Sequence, residues 1–96
     1  MSLTLEGRVA RTRKAAWQQI EHEVVLLVGE EERLLGLNAV AGRIWELADG
    51  SRSVGEIAAA IAVEFDADPA DVDSDALAFV RVLVGRGLLE VREGDR

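Results

Sequence analysis

The chain has no cysteine, a single histidine and a single proline, and its aromatic residues are two tryptophans and two phenylalanines. Without cysteine there are no disulfides, thiolate zinc sites, iron–sulfur clusters or cysteine nucleophiles, and the composition fits a cytoplasmic protein. His22 has no cysteine to share a metal with and reads as a surface residue in a turn. No serine–histidine–acid set has a supporting spacing, and there is no phosphate-binding glycine loop, so no catalysis is expected. Long apolar runs are missing too: the first residues hold none of signal-peptide length, and no stretch approaches the ~20 apolar residues of a membrane span. Positive charge is the last deficit. Lys and Arg number 11 against 18 Asp and Glu, for a net charge of -7. Such a surface repels phosphate backbones and anionic membranes, so neither nucleic acid nor membrane is expected as a partner. Asp66, Asp68, Asp71, Asp73 and Asp75 resemble a calcium loop only loosely, because the glycine at the sixth position and the glutamate at the twelfth are absent. They fit helix capping instead, and no metal or cofactor is expected.

What is present is an apolar content of 49% in 96 residues, enough for one folded domain. Its organising stretch is Leu34 to Gly55. The apolar run Leu34-Leu35-Gly36-Leu37 stops at Asn38, a good helix N-cap. A helix then fits Ala39 to Ala48, with Val40, Ala41, Ile44, Trp45, Leu47 and Ala48 on its apolar side. Asp49-Gly50 closes it, and Ser53 with Glu56 forms a capping box for a second helix. Upstream, Trp17 to Ile20 reads as a short strand and Glu23 to Val28 as a second. The five consecutive apolar residues Val24 to Val28 suit a strand buried on both faces. Gly29 to Glu32 reads most simply as a solvated polar turn, with attraction of a basic leader or partner by Glu30-Glu31-Glu32 as the alternative, and Arg33 to Leu37 returns as a third, antiparallel strand. Residues 1–15 carry Arg8, Arg11, Arg13 and Lys14. They read either as a poorly ordered tail or as an arm that docks on a second copy.

The second helix, Val54 to about Phe65, has apolar residues at 54, 57, 58, 61, 62 and 65. Asp68 caps a third helix that begins at Pro69 and runs to about Arg86. Its central apolar face is Val72, Ala76, Phe79, Val80 and Leu83, with Ala78 and Val82 as one shoulder and Leu77 and Val84 as the other. That stripe is wider than one core contact needs. Gly85 and Gly87 stop the helix, Leu88 to Val91 fits a last short strand, and Glu93 to Arg96 a frayed tail. The expected fold is therefore α+β: a three-stranded antiparallel sheet followed by three helices that cover it, β-β-β-α-α-α. Ser53 to Leu89 looks like the helical part of a winged helix-turn-helix. The expected division is an arm or tail at 1–15 and a domain at 16–92.

The stretch Val24 to Leu89 resembles the PqqD family of pyrroloquinoline quinone (PQQ) biosynthesis and the wider group of RiPP recognition elements. The matching pieces are Val25-Leu26-Leu27-Val28, Leu37-Asn38, Ala41 with Ile44-Trp45-Glu46-Leu47, Asp49-Gly50, Ser53-Val54 with Glu56-Ile57, and Asp75, Phe79, Leu83 and Gly87-Leu88-Leu89. The resemblance implies a non-catalytic peptide chaperone. It would bind the leader segment of a ribosomally made precursor peptide and present it to a modifying enzyme, often a radical SAM protein. It also implies that the leader adds as a strand beside the third helix, which corresponds here to the edge Arg33, Leu34, Leu35, Gly36 and Leu37. Asp75, Ala78, Phe79 and Val82 would form the groove wall. Strand addition gives affinity through main-chain hydrogen bonds and specificity through side-chain pockets. Leu35→Pro would remove an edge N–H without emptying the core if Leu35 faces outward. The same shoulder, Ala78 and Val82, equally fits packing on the sheet or on the first helix.

Two other classes compete. A winged-helix DNA-binding or regulatory domain needs a basic recognition helix, and residues 69–86 carry only Arg81 and Arg86 against three aspartates. A structural dimerisation subunit would pair copies through the N-terminal arm or an open sheet edge.

Overall fold

A computed structural model describes residues 3–21, 23–30 and 33–92. His22, Glu31, Glu32 and residues 93–96, read above as turn residues and a frayed tail, lie outside the described residues, as do Met1 and Ser2. The elements in chain order are β1 (Arg8–Arg11), β2 (Ala15–Ile20), β3 (Glu23–Val28), β4 (Arg33–Leu37), α1 (Ala39–Leu47), β5 (Asp49–Ser53), α2 (Val54–Glu64), α3 (Pro69–Gly85) and β6 (Leu89–Arg92). The expected unit of three strands followed by three helices is present as β2-β3-β4 and α1, α2 and α3. Its likeness to a winged helix-turn-helix is loose, because a second antiparallel sheet, ordered β5-β1-β6, is built around it.

The helices start and stop where local chemistry says they should. Asn38 Oδ1 accepts the Ala41 N–H at 2.8 Å and starts α1. At α2, Ser53 Oγ accepts the Glu56 N–H while the Glu56 carboxylate accepts the Ser53 N–H, a complete capping box. Asp68 Oδ1 accepts the Ala70 N–H ahead of α3, with Pro69 as the first helical residue. After α3, Gly87 takes a left-handed φ of +76°. Its N–H reaches the Val84 carbonyl and the Leu88 N–H reaches that of Leu83. This is the paired bonding of a Schellman stop.

Residues 8–11 depart from the reading as a loose tail or an arm on a second copy. They form the middle strand of the second sheet within their own chain, paired to β5 and β6. Val9 and Ala10 are buried there. Arg11 donates from Nη1 to the Trp45 and Glu46 carbonyls at 2.8 Å each, so a cation closes the C-terminus of α1. Two apolar residues inside a four-residue strand leave too short a pattern to stand out among arginines. β5 leaves no sequence signal for a related reason: Asp49-Gly50-Ser51-Arg52-Ser53 has turn composition and is held as a strand by its pairing with β1.

The core lies between α1, α2, α3 and the inner face of β2-β3-β4, with Leu26, Trp45, Ile57 and Val80 fully enclosed. The expectation of a strand buried on both faces does not hold for β3. Val24 and Leu26 point inward and are buried, but Leu27 is exposed and Val25 only half-buried. α1 lies directly on one face, with α2 packed on α1 and α3 on α2, and the other face stays open.

Candidate functional site

In the sheet β2-β3-β4, β3 is central, so β2 and β4 are both edges. On β4 the side chains alternate as a strand requires. Leu37 is buried and Leu35 is half-buried against the core, while Leu34, 73% exposed, and Gly36 face the open side of the sheet. Arg33 is exposed at the start of the strand. Leu35 therefore does not face outward, and a proline there would disturb core packing as well as the edge. β4 runs straight into α1 through the Asn38 cap, and α1 packs back against β3 and β4.

The third helix packs chiefly on α2 and β6 and leaves β4 almost untouched. Two hollows lie near the two ends of β4, and no β4 residue lines either. One, of about 190 Å³, lies where β4 hands over to α1 and is lined by Asn38, Val40, Ala41 and Ile44 on that side and by Val72, Asp75, Ala76 and Phe79 of α3. The other, of about 540 Å³, joins Val28, Gly29 and Glu30 at the far end of the hairpin to Lys14, Arg86 and Leu88. The flank of α3 from Asp75 through Phe79 and Val82 to Arg86 thus runs antiparallel to β4 between the two hollows. The strand spans about 13 Å in four extended steps and the helix flank about 16 Å in eleven helical steps. The result is a cleft with the outer strand β4 on one side and a half-apolar helix on the other.

Of the residues expected from the sequence, Asp75 and Phe79 line the first hollow. Ala78 and Val82 are exposed on the same flank of α3 and line neither hollow. The floor residues Val40, Ala41, Ile44, Val72 and Ala76 were not expected at a site. Their apolar periodicity assigns them to a core, and only Val40, at 38% exposure, stands clearly out of it. The ends of the cleft differ in charge. Asp75 carries the carboxylate at the α1 end, and Lys14 and Arg86 face Glu30 at the hairpin end. Among the described residues no group of histidine or carboxylate side chains could hold a metal ion.

The profile of coenzyme PQQ synthesis protein D (PqqD) matches residues 23–89. The chain belongs to the PqqD family. A PqqA binding protein of Xanthomonas oryzae pv. oryzae is 32% identical over 92 residues, covering 94% of this chain and 98% of that relative. Two solved structures share the fold. TbiB1 in complex with the TbiA(β) leader peptide superposes with a TM-score of 0.74 at 34% identity, over 90% of this chain and 99% of that one. The PqqD truncation of Methylobacterium extorquens PqqCD, described as a functional, stand-alone RiPP recognition element, gives 0.73 at 27% identity, over 93% and 95%. The family membership and the α+β architecture agree with the resemblance of Val24–Leu89 noted above.

Proposed function

We propose that this PqqD-family protein binds the leader segment of a ribosomally made precursor peptide by strand addition at β4 and hands the peptide to a modifying enzyme, of which the radical SAM class is one candidate. The observation that carries this reading is the position of β4 as an outer strand of its sheet, across from the flank of α3 that holds Asp75, Ala78, Phe79 and Val82. An extended peptide laid there pairs its backbone with β4 and turns alternate side chains toward α3. The binding unit is the domain at 16–92, and the stretch before it braces it through Arg11, on the Trp45 and Glu46 carbonyls at the end of α1, and Thr12, on the Gly87 and Leu88 carbonyls after α3. The protein itself is not an enzyme. It raises the concentration of substrate beside another protein's active site. A cytoplasmic location suits that work, and no helix among the described residues is long and apolar enough to cross a membrane.

The test is an NMR titration of the labelled protein with synthetic leader segments of precursor peptides encoded beside its gene. Saturable shifts confined to residues 33–37 and 75–82 are expected. A folded, monomeric protein that responds to none of them would overturn the reading.

A second reading, a homodimer through a sheet edge, has one observation in its favour. β2 is the other open edge; its six residues Ala15–Ile20 carry no charge and pair with β3 in unbroken register. Edges of this kind normally carry a protective charge, proline or bulge. Pairing of β2 with β2 of a second copy would leave both β4 edges free for peptide. Sedimentation that stays monomeric at high concentration would remove it.

A further inference from the structure

The hollow at the α1 end of the cleft combines six apolar lining residues with two polar ones, Asn38 and Asp75. Asn38 is committed through Oδ1 to the cap of α1. Asp75 has no hydrogen bond or ion pair with any described side chain. Its place on α3 does not account for it. It is the seventh residue of the helix, past the first turn in which a carboxylate gains from the helix dipole. A strand laid along β4 would roof this hollow and take water from the carboxylate, which is costly unless the occupant supplies a donor.

We propose that this hollow is a specificity pocket for a lysine or arginine side chain of the bound peptide. The aliphatic stem lies against Val40, Ile44, Val72 and Phe79, and the cationic head meets Asp75. Long basic side chains are built for such a divided environment, apolar along the stem and charged at the tip. A purely aliphatic side chain of the same length would fill the hollow but leave Asp75 covered and unpaired. An acidic one would add a second negative charge to a protein already at -7. The hollow at the opposite end has a different charge pattern, with Lys14 and Arg86 beside Glu30. The position of the basic residue thus fixes the register of the peptide on β4.

This inference rests on leader binding at β4, and the experiment separates the two. With a synthetic leader segment that binds in the titration above, each lysine is replaced in turn by norleucine and each arginine by citrulline. Affinities are then measured for the wild type, Asp75→Asn and Arg86→Gln. One position is expected to lose about tenfold in affinity on the wild type and on Arg86→Gln, and less than about twofold on Asp75→Asn. Unchanged thermal unfolding of Asp75→Asn is expected at this exposed position and shows that the pocket survives. Binding without any position coupled to Asp75, or by a leader with no basic residue, overturns the pocket and leaves leader binding standing. Absence of binding by every leader overturns both.

Discussion

Gly42 and Val24 touch so closely that a methyl group placed on Gly42 would lie 2.9 Å from Val24 Cγ2 and 3.2 Å from its Cβ. This contact sets how near α1 comes to the central strand β3, and so where Asn38 and the floor of the cleft stand relative to β4. Alanine at position 42 gains helix propensity but forces α1 away from the sheet. Gly42→Ala is therefore expected to destabilise by about 1–3 kcal/mol, the usual range for overpacking. Val24→Ala alone removes buried methyl groups and also destabilises. The pair together should cost clearly less than the sum, because the smaller side chain makes room for the new methyl. Additive losses in urea unfolding would place the strain elsewhere.

Arg11 supplies the second prediction. Its guanidinium bridges the Trp45 and Glu46 carbonyls and stands 5.1 Å from the centre of the Trp17 ring, which meets Trp45 edge to face at 6.2 Å. Arg11→Met keeps the stem and loses the charged donor, at an expected cost of about 1–2 kcal/mol. Arg11→Lys should fall between, since one ammonium can neutralise the helix end but cannot reproduce the planar contact with the ring. Chemical denaturation of the three proteins gives the order.

These two features also mark what could and could not be read from residues alone. β3, β4 and the starts of all three helices were legible, because Asn38, Ser53 with Glu56, and Asp68-Pro69 act within a few residues of themselves. β1 and β5 were not. Val9 and Ala10 are buried only because β5 and β6, some forty and eighty residues away, close on them. No local pattern records such a pairing. The cleft was half legible. The resemblance of the chain to its family drew attention to β4 and to Asp75 and Phe79. The floor from α1 looked like ordinary core, since an apolar helix face reads the same whether a sheet or a groove lies against it. The open outer face of the sheet was hidden for the converse reason: five apolar residues in a row at Val24–Val28 do not tell how many faces are covered.

Leu34 and Leu35, adjacent on the edge strand, should behave in opposite ways. Leu34 is exposed on the open face and Leu35 packs against the core. Leu34→Ala is expected to change stability by no more than about 0.5 kcal/mol, as for most surface sites. Leu35→Ala should cost about 1–2 kcal/mol, less than a fully enclosed leucine because part of its surface already meets water. Thermal unfolding of both variants checks the alternation. Equal costs would mean that β4 is twisted away from its register with β3.

Acid should weaken the fold in a defined window. Asp49 Oδ1 accepts hydrogen bonds from the Ser51 N–H and hydroxyl, and Oδ2 pairs with Arg52 at 3.0 Å. The Ser51 hydroxyl bond contributes most, and the group is held down to about 2 from an ordinary value of 3.8. Glu56 is lowered as well, first by the Ser53 N–H of the capping box. A carboxyl whose folded pKa is depressed stabilises the fold above its unfolded pKa and loses that contribution as pH falls through the folded one. For these groups, the unfolded values are 3.8 and 4.5. The melting temperature should therefore be level from about pH 7 to pH 5 as far as this pair is concerned, and fall from about pH 4.5 toward pH 2. Both side chains face solvent, so the fall is modest and salt reduces it. Asp49→Asn with Glu56→Gln should start lower at neutral pH and lose less on acidification, so that the two curves converge near pH 2. Parallel curves would assign the acid sensitivity to other carboxylates.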